Sequence, residues 1–192
     1  MRLHKLSRMW TIAGTLDVRP ATEHTDLLAD PVAAALARLD PADAARCGIA
    51  EIDPELADTA AFCERYGSPL SASANCVVVA GKRSGEQRFA ACLVLATTRA
   101  DVNGAVRRWL DVRKASFVPV GDVVELTCME YGGITPIGLP QNWPVLIDTR
   151  VAQADQLVIG SGVRRSKLLV PGNVLVTLPG VEVVNDLAQP AP

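Results

Sequence analysis

The chain has 192 residues, 49% of them apolar and 21% charged, enough to bury a core without disulfide or metal staples and too apolar for a disordered chain. Its longest apolar run covers residues 89–96, against the roughly 20 residues a membrane helix needs, and "MRLHKLSRMWTIAG" lacks the apolar core and cleavage site of a signal peptide, so a cytoplasmic protein with no membrane partner is expected. The net charge of −2 covers an asymmetry: residues 1–70 carry 11 acidic and 7 basic side chains, residues 71–192 carry 10 and 12.

Residues 1–20 read as an N-terminal extension. In "TDLLADPVAAALARLD" Asp30 is placed to cap a helix and Pro31 to open it, where a missing N–H costs nothing. "PELADTAAFCERYG" reads as a second helix, opened by Pro54 and stopped by Gly67. "ANCVVVAG" and "RFAACLVLAT", separated by the polar "KRSGEQ", form the clearest hairpin in the chain. "ADVNGAVRRWLD" is a helix capped by Asp101 with Val102, Val106, Trp109 and Leu110 on one face, and "VGDVVELTC" a short helix after it. "VLIDT", "QLVIGS" and "KLLV" read as strands, "PGNVLVTLPG" as a last helical turn or two, and "LAQPAP" as a frayed tail, with residues 188–192 disordered. Hairpin signals within an irregular alternation of strands and helices predict one α+β domain on a mixed sheet, with no second domain.

The ionisable residues offer little chemistry. Five cysteines (Cys47, Cys63, Cys76, Cys92, Cys128) are an odd number without a C-x-x-C pair, and the two histidines, His4 and His24, both lie near the N-terminus. This spacing argues against a disulfide framework, a zinc site or a histidine-based triad, and no metal or cofactor is expected. No G-x-x-x-x-G-K-[ST] phosphate loop is present. Ser161 lacks the G-x-S-x-G frame of a nucleophile elbow and reads as a turn hydroxyl. Glu125 and Glu130 flank Cys128 without an evident partner, and Cys128 has no basic neighbour to lower its pKa. Asp148, two residues before Arg150, fits a salt bridge or a helix cap.

What remains is "MEYGGITPIGLPQNWPVLID", residues 129–148, a stiff stretch nearly free of acid–base side chains. Its glycines let main-chain N–H groups approach a ligand, and Pro136, Pro140 and Pro144 hold the loop rigid. Such N–H groups can bind a carbonyl or a developing oxyanion without any ionisable side chain. The same composition also suits a surface turn. The basic excess sits in "RRWLDVRK" and "GVRRSK", clusters that are either solvated faces or contacts to a polyanion.

The order of four segments is more specific than any one of them. "DVNGAVRRWLDVRKASF", "ELTCMEYGGITPIGLP", "VLIDTRV" and "LVIGSGVRRSKLLV" together resemble the YbaK/EbsC family of aminoacyl-tRNA deacylases, whose fold also occurs as the editing domain inserted in bacterial prolyl-tRNA synthetases. The resemblance covers roughly residues 21–187. It implies a single α/β domain with a curved, partly barrel-like mixed sheet around a small pocket, and hydrolysis of the ester between a wrong small amino acid, such as alanine or cysteine, and the tRNA 3′ end. A hydroxyl of the terminal ribose would assist the attacking water. The family's G-x-x-x-P loop falls on Gly132 to Pro136, so the resemblance assigns Gly132, Gly133, Pro136 and Asn75 to catalysis. It assigns Ile134, Thr135, Gly160, Ser161, Gly162 and Asp148 to the substrate pocket, and Arg107, Arg108, Arg164, Arg165 and Lys167 to tRNA. Asn75 stands where many members carry a lysine, and Cys128 where a glycine is common. The implied partners are the tRNA acceptor end and an aminoacyl-tRNA synthetase, with no DNA. A non-catalytic module of the same fold, binding tRNA, a synthetase or a small ligand, is the alternative, and hydrolysis of another small acyl ester a third reading.

Overall fold

A computed structural model describes residues 10–191, so His4 and the first nine residues of the expected extension, with Pro192, lie outside the described residues. Strand β1 (Arg19–Pro20) leads to helix α1 (Asp30–Leu36), which Ala29 caps one residue earlier than Asp30 was expected to, with Pro31 in its first turn. Helix α2 (Pro41–Ala44) and strand β2 (Gly48–Glu51) follow. The predicted second helix divides into a 3-10 turn at Pro54–Leu56 and helix α3 (Thr59–Tyr66). Two carboxylates cause the division, because Asp53 and Asp58 each cap a separate start, and Gly67 closes α3 in the left-handed conformation.

The hairpin forms as predicted. Strands β3 (Ala74–Arg83) and β4 (Glu86–Leu95) pair over their full length around a turn at Ser84 and Gly85, both at positive φ. Strand β5 (Thr98–Ala100) precedes a π-helical turn, Val102–Val106, that runs into helix α4 (Arg107–Trp109); the Asp101 carboxylate accepts the N–H groups of Gly104 and Ala105, as its capping role required. Then come strand β6 (Ala115–Phe117), helix α5 (Val120–Thr127), strand β7 (Val145–Asp148), helix α6 (Thr149–Ala152), strand β8 (Leu157–Gly160), strand β9 (Ser166–Val170), helix α7 (Gly172–Leu175) and strand β10 (Val181–Val184). The segment expected to fray carries strand β11 (Ala188–Pro190), antiparallel to β5.

The mixed α+β architecture holds. One sheet has the order β10-β7-β4-β3-β6, with β7 parallel to both neighbours; a second has β1-β2-β9-β8, all antiparallel. The sheets do not close into a barrel, contrary to the barrel-like expectation: among the described residues one parallel bridge, Ser73 to Val158, is the only backbone pairing between them. Helix α4 and its π turn cover one face of the large sheet through Val102, Val106 and Leu110 against Val79, Ala90 and Cys92, and the largest apolar cluster lies between the two sheets. Residues 10–20 are packed: Trp10, Ile12, Leu16 and Val18 bury against Phe62, Val158 and Leu169. Among the described residues no helix is long and apolar enough to cross a membrane.

Candidate functional site: a cavity between two parallel strands

Beyond the Ser73–Val158 bridge, β3 and β8 run on without pairing, and a cavity of about 490 Å3 opens between them. Asn75, Cys76, Val77 and Val78 form one wall and Ile159 and Gly160 the other; Ala57, Asp58, Thr59 and Phe62 close one end, Val120, Val123 and Val124 of α5 the other, and Tyr131, Gly132 and Ile134 arch over the top. The stiff glycine–proline loop is therefore a wall of the cavity.

Backbone contacts hold that loop against the β8–β9 turn. The N–H of Glu130 donates to Gly162 O (2.8 Å) and the N–H of Gly162 to Gly133 O (2.7 Å). Approach this close leaves no room for side chains: a Cβ on Gly133 would stand 2.6 Å from the Val163 carbonyl oxygen, and one on Gly160 would strike the carbonyls of Gly133 and Ile134. Gly132, at φ +83°, turns the chain into the cavity roof. Arg164 fastens the assembly, donating to Tyr131 O (3.1 Å) and Pro54 O (2.9 Å), while its own backbone N–H donates to the Glu130 carboxylate (2.6 Å). Glu130 thus has the partner that the sequence did not reveal.

The loop supplies fewer donors than expected. The Gly133 N–H is spent on Glu130 O (2.9 Å) and Pro136 has none to give. The N–H of Gly132 has no protein acceptor among the described residues.

Lys167 is assigned to tRNA in the sequence reading, and the structure places it away from the exposed basic clusters, in the cavity wall. Strand β9 is buried throughout, and Lys167, 6% exposed, lies in the cavity wall. Its ammonium donates to Ala57 O (2.8 Å) and Gly132 O (3.4 Å) and lies 5.6 Å from the centre of the Phe62 ring. Burial lowers its pKa to about 8, partly countered by Asp58 and Cys63 and assisted by the like charge of Arg164. The signal for it was present: a lone lysine inside the otherwise apolar "SKLLV" run is costly unless it is used.

Asn75 lines the cavity, its Oδ1 accepting from the Thr59 hydroxyl (2.9 Å), which leaves its amide N–H groups without a protein acceptor among the described residues. The Cys76 thiol is pushed up by burial and by Cys92 beside it, so it stays protonated in the wall. Other predicted residues are not brought together. The fully buried Ser161 hydroxyl is bonded to Ser166 Oγ (2.7 Å) and to the carbonyls of Val163 and Ser166, a turn hydroxyl as read. Gly162 and the buried Thr135 and Pro136 lie behind the wall. Asp148 is both salt bridge and cap: it accepts from Arg150 Nε (2.7 Å), from the Arg150 N–H and from the Ala188 N–H. Burial works to raise its carboxyl, and the bonds and charge of Arg150 outweigh this and hold it below the usual carboxylate range. Arg107 and Arg108 ride the helix on the opposite face of the large sheet, and Arg165 donates to Asp26 O; none of the three reaches the cavity.

Sequence reasoning missed the rim, where Phe117 and Tyr131 are 55% and 63% exposed with Arg164 5.9 Å from the Tyr131 ring centre. Exposed aromatic rings beside a glycine pair were the available clue. The sequence profile of the aminoacyl-tRNA editing domain matches residues 53–178. The chain belongs to the aminoacyl-tRNA editing domain family. That span contains every cavity wall described above. No curated protein matches the chain. Among solved structures the editing domain is similar in fold to the hypothetical protein APE2540 (TM-score 0.61, 20% identity, 69% of this chain and 85% of the other). It is also similar to a proposed trans-editing enzyme for prolyl-tRNA synthetase (TM-score 0.66, 19% identity, 82% and 94%).

Proposed function

We propose that this editing domain hydrolyses the ester of tRNA mischarged with a small amino acid such as alanine or cysteine, and that the cavity between β3 and β8 receives the aminoacyl group. The supporting observation is the chemical character of the cavity: apolar strand and helix walls, a backbone roof, a single buried cation and neutral amide N–H groups at Asn75. An aminoacyl ester is already activated, so positioning and charge stabilisation supply much of the acceleration. Water adds to the ester carbonyl carbon, the carbonyl π electrons pass to oxygen, and collapse of the tetrahedral intermediate expels the ribose oxygen. That oxygen takes a proton originating from the attacking water, with a ribose hydroxyl orienting the water, and free amino acid and uncharged tRNA result.

Walls of Val, Ile and Phe set an upper limit on side-chain size, the sieve that editing needs. Phe117 and Tyr131 offer rings on which the terminal bases stack. Arg107, Arg108 and Arg165 are phosphate contacts in this proposal only along a path that wraps the domain, since they do not share the cavity's face. The test is deacylation of alanyl-, cysteinyl-, seryl- and prolyl-tRNA by chelator-treated protein. Hydrolysis of a mischarged species with the correctly charged one spared supports the proposal. Salt-sensitive tRNA binding without hydrolysis of any species favours a binding module instead.

A further inference from the structure

In the loop that was expected to bind the oxyanion, the Gly133 N–H is bonded to Glu130 O and Pro136 has no N–H, while the N–H groups of Gly132, Ile134 and Thr135 have no protein acceptor among the described residues. A buried ammonium stands directly beneath it. Lys167 Nζ donates to two main-chain carbonyls, those of Ala57 and Gly132, and an ammonium has three N–H bonds. No carboxylate lies within salt-bridge distance of it among the described residues; the nearest acidic influence, Asp58, directs its carboxylate to the Ala60 N–H as the cap of α3. Arg164, the other cation of the wall, has its guanidinium on the carbonyls of Tyr131 and Pro54 near the rim. Because the Gly132 carbonyl accepts from Lys167, the acceptor-free Gly132 N–H belongs to a residue already in contact with that ammonium.

We propose that Lys167 is the oxyanion donor of this cavity, its third N–H donating to the carbonyl oxygen of the aminoacyl ester as that oxygen becomes anionic, with the Gly132 N–H as second donor. The assignment rests on the reading that the cavity holds an aminoacyl ester. The pre-set geometry has a clear physical advantage. Two carbonyls and the Phe62 ring fix the ammonium before substrate arrives, and burial strengthens its interaction with a developing charge. The carboxylate of the released amino acid would briefly occupy the same donor. The charged and titratable groups acting on Lys167 are Asp58 and Cys63 from the segment of α3 and Arg164 from the β8–β9 turn, and Arg164 is itself bonded to the Glu130 carboxylate and the Tyr131 carbonyl of the roof.

The experiment follows single-turnover deacylation by the full chain from pH 6 to pH 10, with the enzyme-free rate subtracted, for wild type, Lys167→Arg and Lys167→Met, each checked for cooperative unfolding. The expected wild-type rate falls above about pH 8, where the ammonium loses its proton. Lys167→Met loses about 100- to 1,000-fold in rate with substrate affinity changed less than threefold, the cost of removing one oxyanion donor. Lys167→Arg, which stays charged, keeps part of the rate and loses the alkaline fall. Wild-type hydrolysis with Lys167→Met equally active overturns the assignment and leaves the proposed function standing. A wild-type rate that stays level to pH 10 also overturns it. A wild type inactive on every mischarged species of the panel overturns both readings together.

Discussion

Replacing Lys167 by methionine separates the burial of a charge from everything else in the fold, because methionine fills similar space without the ammonium. The Lys167 pKa lies near 8 in the folded chain and near 10.5 when unfolded. Between those values the unfolded chain holds a proton that the folded chain has released, so this group's contribution to stability rises with pH across that window. Below pH 8 both states are protonated and the folded state carries the full burial cost. At about 1.4 kcal/mol per pKa unit, the wild type gains about 2 to 3 kcal/mol between pH 7 and pH 10 from this residue alone. Lys167→Met lacks the dependence. Urea unfolding followed by the fluorescence of Trp10, Trp109 and Trp143 measures it, and other titrating groups cancel in the comparison. With a urea slope of about 2 kcal/mol per molar, the wild-type midpoint should move up relative to that of Lys167→Met by about 1 M from pH 7 to pH 10. Parallel midpoints across that range would show that the amine is as well hydrated folded as unfolded, and would remove the physical basis for treating it as a preset cavity charge.

Three further outcomes follow from named contacts. Gly160→Ala forces a methyl group against the Gly133 and Ile134 carbonyls and should cost about 2 kcal/mol in urea unfolding, while slowing deacylation by moving the cavity roof. Ile134→Ala removes bulk from the roof and should raise the rate on a bulkier aminoacyl ester, relative to alanyl-tRNA, by about 10- to 100-fold in competition assays. Cys128 ends α5 at φ 54°, a left-handed conformation that costs a non-glycine residue roughly 1–2 kcal/mol. Cys128→Gly should therefore raise stability by about 0.5–1 kcal/mol once the greater unfolded-state freedom of glycine is deducted, with thermal unfolding as the measurement.

What the sequence made legible was local. The β3–β4 hairpin needs only its own turn, the Asp101 cap only the N–H groups three and four residues on, and the Gly67 stop only its own φ. The left-handed φ at Cys128 is the conformation that glycine adopts most easily. Short strands were missed because their partners are remote: β2 pairs with β9 through Gly48 and Leu169, and β11 returns to β5 through Ala188 and Ala100. Four residues of β2 carry no periodicity of their own that could announce a partner so distant. The stiffness and glycine content of the loop at residues 129–148 are local properties too, and they suit a ligand-facing loop and a surface turn alike until the fold places the loop in the cavity roof. Which wall Lys167 serves was not recognised, because in a strand buried on both faces the alternation of polar and apolar residues that gives direction is absent.

The two properties that an editing cavity needs, size exclusion and charge stabilisation, come from different parts of this fold. In the proposed reading exclusion falls to Ile134 in the roof and to Val123 of α5, which pack with Val78 and Trp143, and to Val124 beside them in the lining. In this reading the charge comes from β9 in the other sheet, and among the described residues the two sheets share backbone pairing only at the Ser73–Val158 bridge. The one covalent stretch shared by both functions is Gly132–Gly133–Ile134, where the Lys167 contact and the bulky wall are two residues apart. Independence therefore depends on that stretch being held by its own bonds to Gly162 and Arg164 and not by Lys167. If it is, the selectivity change from Ile134→Ala and the alkaline change from Lys167→Arg add in the double variant, as sites without mutual strain do. If the ammonium itself shapes the roof, the two changes will couple, and the cavity's selectivity will depend on the protonation of a lysine that contacts no part of the discriminated side chain.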